Sequence, residues 1–274
     1  MLGGWRAKIR ARGATWFAGL TPRGPRHFLL QVALLGSFEI VYALSGIYGR
    51  HVNDTAIANG HDLLELERRL GIAWEHPIQN WTLQAPHIFL AVANRTYFIS
   101  QFTVSTVFLL WVYARRNSHF ERVRNALLAA NYVSVVVMFV YPLAPPRALP
   151  GEGFVDTLNA NAVNLHSRVI EALNNPNSAM PSLHISYAVV LGITGVLLTR
   201  SVPVRAFWAF YPALVSYSII ATGNHYILDI VGGVLALLAT PIVDRAARGL
   251  SARWSQRRDA DKTWLRPERE GASG

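Results

Sequence analysis

A chain of 274 residues that is 51% hydrophobic and only 15% charged, with a formal net charge of +10, is not built like a soluble domain. Soluble domains are about a quarter charged, and here the apolar residues are blocked into runs approaching the roughly 20 residues a bilayer-spanning helix takes. The basic excess flanks those runs, which excludes nucleic acid as the partner it would otherwise suggest, and the absence of cysteine excludes disulfides and thiolate sites.

The predicted fold class is all-α: a polytopic integral membrane protein of six spans with an added interfacial amphipathic helix. Residues 1–27 form a basic cytoplasmic arm with Arg6, Lys8, Arg10, Arg12, Arg23 and Arg26 and no acid. Trp16, Phe17 and Leu20 among these arginines suit either a surface-lying amphipathic turn or a disordered basic tail. No early apolar core precedes a small-residue cleavage site, so the first span is expected to act as the targeting signal. The membrane domain covers 28–244, and 245–274 form a basic cytoplasmic tail.

Span one runs from about Phe28 to Ile47 and contains Glu39. An acid at that depth should face the bundle, as a packing hydrogen bond or a substrate contact. Residues 48–96 form a polar connection. In it, Leu63, Leu66 and Leu70 recur at helical spacing beside Glu65, Glu67, Arg68 and Arg69, which predicts an amphipathic helix lying along the interface. Pro86 to Ala93 is apolar but too short to span alone. Span two covers about Tyr97 to Ala114, entered beside Asn94 and Arg95, with Gln101 and Ser105 continuing one face inward. Span three covers about Ala126 to Leu143. The prolines at 142, 145, 146 and 150 then stop the helix and hold the chain extended. After a polar loop over 151–180 come spans four (Ser182 to Thr199), five (Arg205 to Ala221) and six (His225 to Ile242), with a tight Gly223-Asn224 turn before the last.

The arm, the 115–124 loop, the Arg200/Arg205 loop and the tail are basic and therefore cytoplasmic. The 48–96 and 144–181 connections hold most of the acids and lie outside. Six alternating spans satisfy this assignment and bring Arg147, His184 and His225 to the outer ends of spans three, four and six.

That convergence has a chemical meaning. A helix N-terminus attracts anions through its unpaired N–H groups. Pro181 suits a first helical position, Ser182 adds a hydroxyl, and His184 falls within the first turn. Arg147 offers a planar fork to phosphate oxygens. His225 and Asp229 are four apart and share a helix face, so the carboxylate can hold one imidazole nitrogen protonated and leave the other free as nucleophile or base. This set suits phosphoester chemistry, where fixed donors stabilise the transferred group.

Pro181-Ser182-x-His184 and His225-x-x-x-Asp229 resemble the second and third signature motifs of the type 2 phosphatidic acid phosphatase superfamily (PAP2). With Tyr-Pro-Leu-Ala-Pro-Pro-Arg147 and Ala-Met-Pro-Ser-Leu-His184, the sequence looks more like its Aur1/Ipt1 inositolphosphotransferase-like branch, over roughly 90 to 240. The resemblance implies a PAP2-like helical bundle. It implies that His225 is the nucleophile forming a phosphohistidine, Asp229 its orienting partner, and His184 the general acid. Ser182 and Arg147 would bind phosphate, with no metal or other cofactor. His184, His225 and Asp229 also match zinc ligands in type, but no HExxH or cysteine pattern accompanies them.

The chain departs from the phosphatase pattern at two basic positions. Val140 stands where the first motif carries lysine, with Ala148 after Arg147, and Ser218-Ile219 stands where the third motif starts Ser-Arg. Arg95, Arg168 and His166 are the substitutes on offer, and Asn94, Gln101, Asn224 and Tyr226 further candidates for substrate contact. The gaps fit a phosphodiester better than a more highly charged monoester. The function implied is a membrane phosphotransferase that moves a phosphoryl or phospho-headgroup, phosphoinositol included, from a lipid phosphate or phosphodiester donor to an alcohol or polyol. The alternatives are a lipid phosphatase with water as acceptor and a non-catalytic protein that binds or translocates lipids. The expected location is the plasma (inner) membrane, with both termini cytoplasmic and the site on the extracytoplasmic side.

Overall fold

Proline and glycine punctuate this chain into helices whose ends, rather than whose middles, carry the polar residues. The computed structural model describes residues 21–48, 54–160 and 177–249. Eight helices are used below: α1 (Pro25–Tyr48), α2 (Asp54–Leu70), α3 (Glu75–Gln84), α4 (His87–Arg115), α5 (Asn117–Val140), α6 (Leu183–Leu198), α7 (Val202–Ala221) and α8 (Ile227–Gly249). Pro86 stands at the cap of α4, Pro203 falls in the first turn of α7, and Pro142 follows the end of α5. Each sits where a missing N–H is harmless or helix continuation is blocked. Among the described residues no strand forms; a single parallel bridge joins Leu143 and Ser178.

Among the described residues four helices, α4, α5, α7 and α8, are long and apolar enough to cross a membrane. They account for the expected second, third, fifth and sixth spans. The expected fourth is α6, apolar but 16 residues long, short of the roughly 20 that a bilayer takes. The expected first is α1, 24 residues long; the side chain of its Glu39 lies outside the described residues, as do Trp16, Phe17 and Leu20 of the arm. Span two begins earlier than its hydropathy suggests. Pro86 to Ala93, too short to span alone, is continuous with it as the first turns of α4. Val107, Phe139, Leu197, Phe210 and Leu238 are exposed on the helices, as a hydrocarbon surround requires.

The bundle interior is one apolar cluster that includes Phe108, Val112, Leu127, Leu191, Val215 and Ile219. Glycine sets the spacing of its helices. A Cβ on Gly195 would lie 2.3 Å from the Trp208 ring, and one on Gly233 2.5 Å from the Ser182 carbonyl oxygen. Small residues thus let α6 approach both α7 and α8 closely.

The two ends of the bundle differ in chemistry. At one end, Arg23 pairs with Glu121 and Arg124 bonds Gln31 and Asn125. There Asn125 also reaches Asp244 at 2.6 Å, and Arg116 donates to the last carbonyl of α6 at 3.4 Å. At the other end α2 and α3 close over the loops. A second apolar cluster joins Ala56, Leu63 and Leu64 to Leu143, Ala144, Leu149, Ala179 and Tyr226.

That cluster divides the leucines of α2 between two faces. Leu66 and Leu70 are exposed, and the buried face is Ala56, Gly60, Leu63, Leu64 and Glu67. The leucine spacing marks one apolar stripe, of which Leu63 packs on protein and Leu66 and Leu70 stay exposed, while Glu67 turns a carboxyl inward. The reason lies in α8, whose N-terminal N–H groups need acceptors.

Candidate active site

Four segments remote in sequence are stitched together by backbone hydrogen bonds at the α2/α3 end. Leu143 N donates to Asn177 O at 2.8 Å, and Ala179 N returns to Leu143 O at 3.1 Å. Ala144 N reaches Ala56 O at 3.0 Å, and Arg147 N reaches Gly223 O at 2.9 Å. Gly223 has φ +67°, a left-handed conformation that glycine adopts freely. A Cβ there would also meet Gln79 Nε2 at 2.9 Å. From α1, the Tyr42 hydroxyl lies 2.7 Å from Ser178 Oγ. The proline-rich segment 141–149 is therefore the seam that sets the histidine-bearing loops side by side.

His225 precedes α8 and is buried. Its Nδ1 lies 2.9 Å from Ala179 O and 3.2 Å from Asp229 Oδ2. A carbonyl oxygen only accepts, so Nδ1 carries the hydrogen and the Nε2 lone pair is left free. The carbonyl is the nearer partner: Asp229 shares the orienting role that the i, i+4 spacing gave to it alone. Asp229 Oδ2 also accepts from Tyr226 N at 3.0 Å.

His184 sits in the first turn of α6, its ring centroid 5.6 Å from that of His225 and inclined at 66°. This is about two hydrogen-bond lengths, so one phosphoryl group reaches both rings. Tyr97 of α4 stacks on His184, centroids 4.5 Å apart and 20° from parallel. Nothing in the sequence singled Tyr97 out among the ten tyrosines.

Ser182 is the N-cap residue of α6. Pro181 thus lies one residue before the cap, not at the first helical position expected. Ser182 N is already engaged with Asp229 O at 3.2 Å, which ties α6 to α8. Its hydroxyl is fully buried, and among the described residues it has no hydrogen-bond partner. A donor held dry and unpaired fits an anion-binding role.

Arg147 is held by its own neighbour in the turn. Its Nε donates to Asn224 Oδ1 at 2.8 Å, with Asp156 Oδ2 at 3.9 Å. Among the described residues no hydrogen bond takes its Nη1 or Nη2, so that edge of the fork can serve oxyanions. Asn224 is therefore a holder of Arg147, a role the sequence had left as general substrate contact. Tyr226 is buried, with its hydroxyl on Ala144 O at 2.8 Å, and it braces the seam.

The remaining candidates separate. Asn94 is buried and exchanges hydrogen bonds with Thr157, at 3.3 Å from its Nδ2 to Thr157 O and 2.9 Å from Thr157 Oγ1 to its Oδ1. It anchors the loop to α4. Arg95 is exposed, and no hydrogen bond or ion pair ties it to the site among the described residues. Gln101 is only partly buried. A π turn over Ser100–Val104 shifts the register, so Ser100 and Ser105 share the inward face, with Ser105 Oγ on Ser100 O at 3.1 Å. His166 and Arg168 lie outside the described residues. Val140 is exposed and Ile219 is in the core.

Two further residues of the site, besides Tyr97, escaped the sequence reading. Glu75 Oε1 accepts from Ile227 N at 2.7 Å, and Glu67 Oε1 accepts from Leu228 N at 2.6 Å. With Asp229 on Tyr226 N, three carboxyl groups take three successive N–H groups at the start of α8. Among the described residues, no group of three or more His, Cys, Asp or Glu is arranged to hold a metal ion.

A family model described as the PAP2 superfamily matches residues 61–243. No curated protein and no solved structure matches the chain.

Proposed function

The chain belongs to the PAP2 superfamily, whose membership points to lipid phosphatase or phosphotransferase activity, and from that premise we propose a membrane phosphotransferase that works through a phosphohistidine on His225. Nε2 of His225 attacks phosphorus of a lipid phosphate or phosphodiester. The N–P bond forms as the bond to the leaving oxygen breaks, and protonated His184 delivers a proton to that oxygen. An alcohol or polyol then gives its proton to His184 as its oxygen takes the phosphoryl group and releases His225. Water in the same place makes the enzyme a phosphatase. Arg147, the Ser182 hydroxyl and the first turn of α6 stabilise the equatorial oxygens.

The observation that carries this reading is the pairing of His225, its Nδ1 fixed by Ala179 O and Asp229, with a second imidazole 5.6 Å away. The proposed setting is six spans with α1 and α6 completing the bundle, the site end extracytoplasmic in the plasma membrane and both termini cytoplasmic. The two missing basic residues favour a phosphodiester donor such as phosphatidylinositol, since a diester carries less charge.

Purified full-length protein, given radiolabelled phosphatidylinositol or phosphatidic acid with and without added polyol, tests it. An acid-labile phosphoprotein that is absent in His225→Ala and is discharged faster by polyol is the expected result. Turnover retained by folded His225→Ala overturns the nucleophile. Phosphate release indifferent to polyol turns the reading to phosphatase.

A further inference from the structure

Glu67 and Glu75 are fully buried, come from different helices, and meet at the start of α8. Each gives one oxygen to a backbone N–H of that helix, Leu228 and Ile227 respectively. The other oxygen of each is buried and takes no N–H or O–H among the described residues. Two buried carboxylates beside Asp229 would place three negative charges in one dry spot, which the dielectric of an interior opposes strongly. A proton between the two unpartnered oxygens removes the conflict. It makes one carboxyl a donor to the other and leaves both remaining oxygens as acceptors for the helix.

We infer that Glu67 and Glu75 are positioning residues of the reaction: a proton-sharing carboxyl pair that clamps the N-terminus of α8 and so holds His225 and Asp229 in register with His184. The pair touches no substrate. It acts through Ile227 N and Leu228 N, two and three residues beyond the nucleophile. This inference rests on the catalytic reading of His225 given above.

The surroundings agree with a retained proton. Burial, then the hydrogen bond to Glu75, pushes Glu67 up to about 9. The titratable groups facing the pair are Asp229 and Tyr226 at the start of α8, Arg68 on α2, His76 on α3 and Glu152 just after the 141–149 seam, with Tyr141 of the seam facing Tyr226 behind them. Arg68 is neutralised by Glu152, with which it pairs, so no free cation competes for the proton from that side. A cavity of about 310 Å³, lined by Leu64, Arg68, Glu75, His76, Glu152 and Phe154 among others, reaches Glu75. It gives the pair a route for proton exchange.

The test compares wild type with Glu67→Gln, Glu67→Ala and Glu75→Ala in full-length protein reconstituted in detergent. Phosphatidylinositol and phosphatidic acid serve as probes. Glutamine keeps the acceptor for Leu228 N and donates permanently to Glu75, so it copies the protonated acid. A raised folded pKa favours the native state fully below the ordinary glutamate value, and the advantage fades as pH climbs toward about 9. The unfolding temperature of Glu67→Gln minus that of wild type should therefore rise between about pH 5 and pH 9. At pH 6 its kcat should stay within about threefold of wild type. The alanine variants should lose about 10- to 100-fold in kcat with KM nearly unchanged, as displaced catalytic groups do. A difference curve flat across that pH range overturns the shared proton. Full kcat in folded alanine variants overturns the positioning role. The unfolding measurement needs no turnover, so it stands even if His225→Ala shows that the catalytic reading is wrong.

Discussion

Ser182 carries the sharpest single-residue consequence, because its hydroxyl is buried without a partner. An unsatisfied buried hydroxyl is a destabilising group, on the order of 1–3 kcal/mol. Ser182→Ala removes it without a cavity of any size. The expected outcome is an unfolding temperature equal to or above wild type, together with turnover at least about tenfold lower, as expected where a fixed donor has been removed from the transferred group. Loss of stability in that variant would show that the hydroxyl is structural. Arg147→Lys separates two duties in the same way. The guanidinium holds Asn224 through Nε and keeps its Nη edge for oxyanions, whereas an ammonium offers no such division of labour. A rise in KM for lipid of about tenfold or more, with folding intact, is the outcome to look for. At this scale the sequence offered His184, His225, Asp229, Arg147 and Ser182 as candidates, because each sits in a short motif whose chemistry is local. It hid Glu67 and Glu75, whose backbone partners lie 161 and 152 residues away. A carboxylate in a polar connection reads as solvated until its acceptor role is seen.

Between elements, the α6–α8 crossing decides whether the two imidazoles share a substrate. It is set by Gly233, where a Cβ would come 2.5 Å from the Ser182 carbonyl oxygen and 3.3 Å from Ile185 Cβ. The first obstacle is backbone, so relief requires the helices to part. Gly233→Ala should cost about 1–3 kcal/mol of stability and lower turnover more than tenfold, since a displacement of about 1 Å at reacting groups costs about 100-fold. Gly36→Ala on α1, where a Cβ meets nothing within 4 Å, is the matched control and should leave activity unchanged. The same geometry explains which elements the sequence misplaced. The polar stripe on α4 was read with a period of four, but the π turn at Ser100–Val104 inserts a residue and pairs Ser100 with Ser105 instead. In α2 the apolar periodicity was real, yet the buried face includes Glu67 because α8 needs a carboxyl there. Periodicity reports which residues are apolar; it cannot report that a helix end elsewhere lacks acceptors.

Across the described residues, charge is biased by end. Arg23, Arg116 and Arg124 outnumber Glu121 and Asp244 opposite the site, while Glu67, Glu75, Glu152 and Asp156 outnumber Arg68 and Arg147 around it. Lys and Arg next to spans are retained on the cytoplasmic side, so the site end should face outward. This sorting was readable from loop composition alone, since it depends on which connection a charge falls in and not on any contact. Helix length was less readable, because α6 stops at 16 residues and an apolar run does not announce where its helix will end. The chain has no cysteine, so single cysteines report orientation without background. Glu65 on α2 is exposed at the site end, and Ser118 and Ser201 are exposed at the basic end. In intact cells a membrane-impermeant maleimide should label Glu65→Cys at once, and should reach Ser118→Cys and Ser201→Cys only after permeabilisation. The opposite pattern would put His225 in the cytosol and reverse the side from which substrate enters. Labelling of Ser118 and Ser201 from opposite sides would break the alternation that requires α6 to cross. Equal protection of both, with Glu65 open, is the result that a short α6 spanning the bundle beside α7 demands.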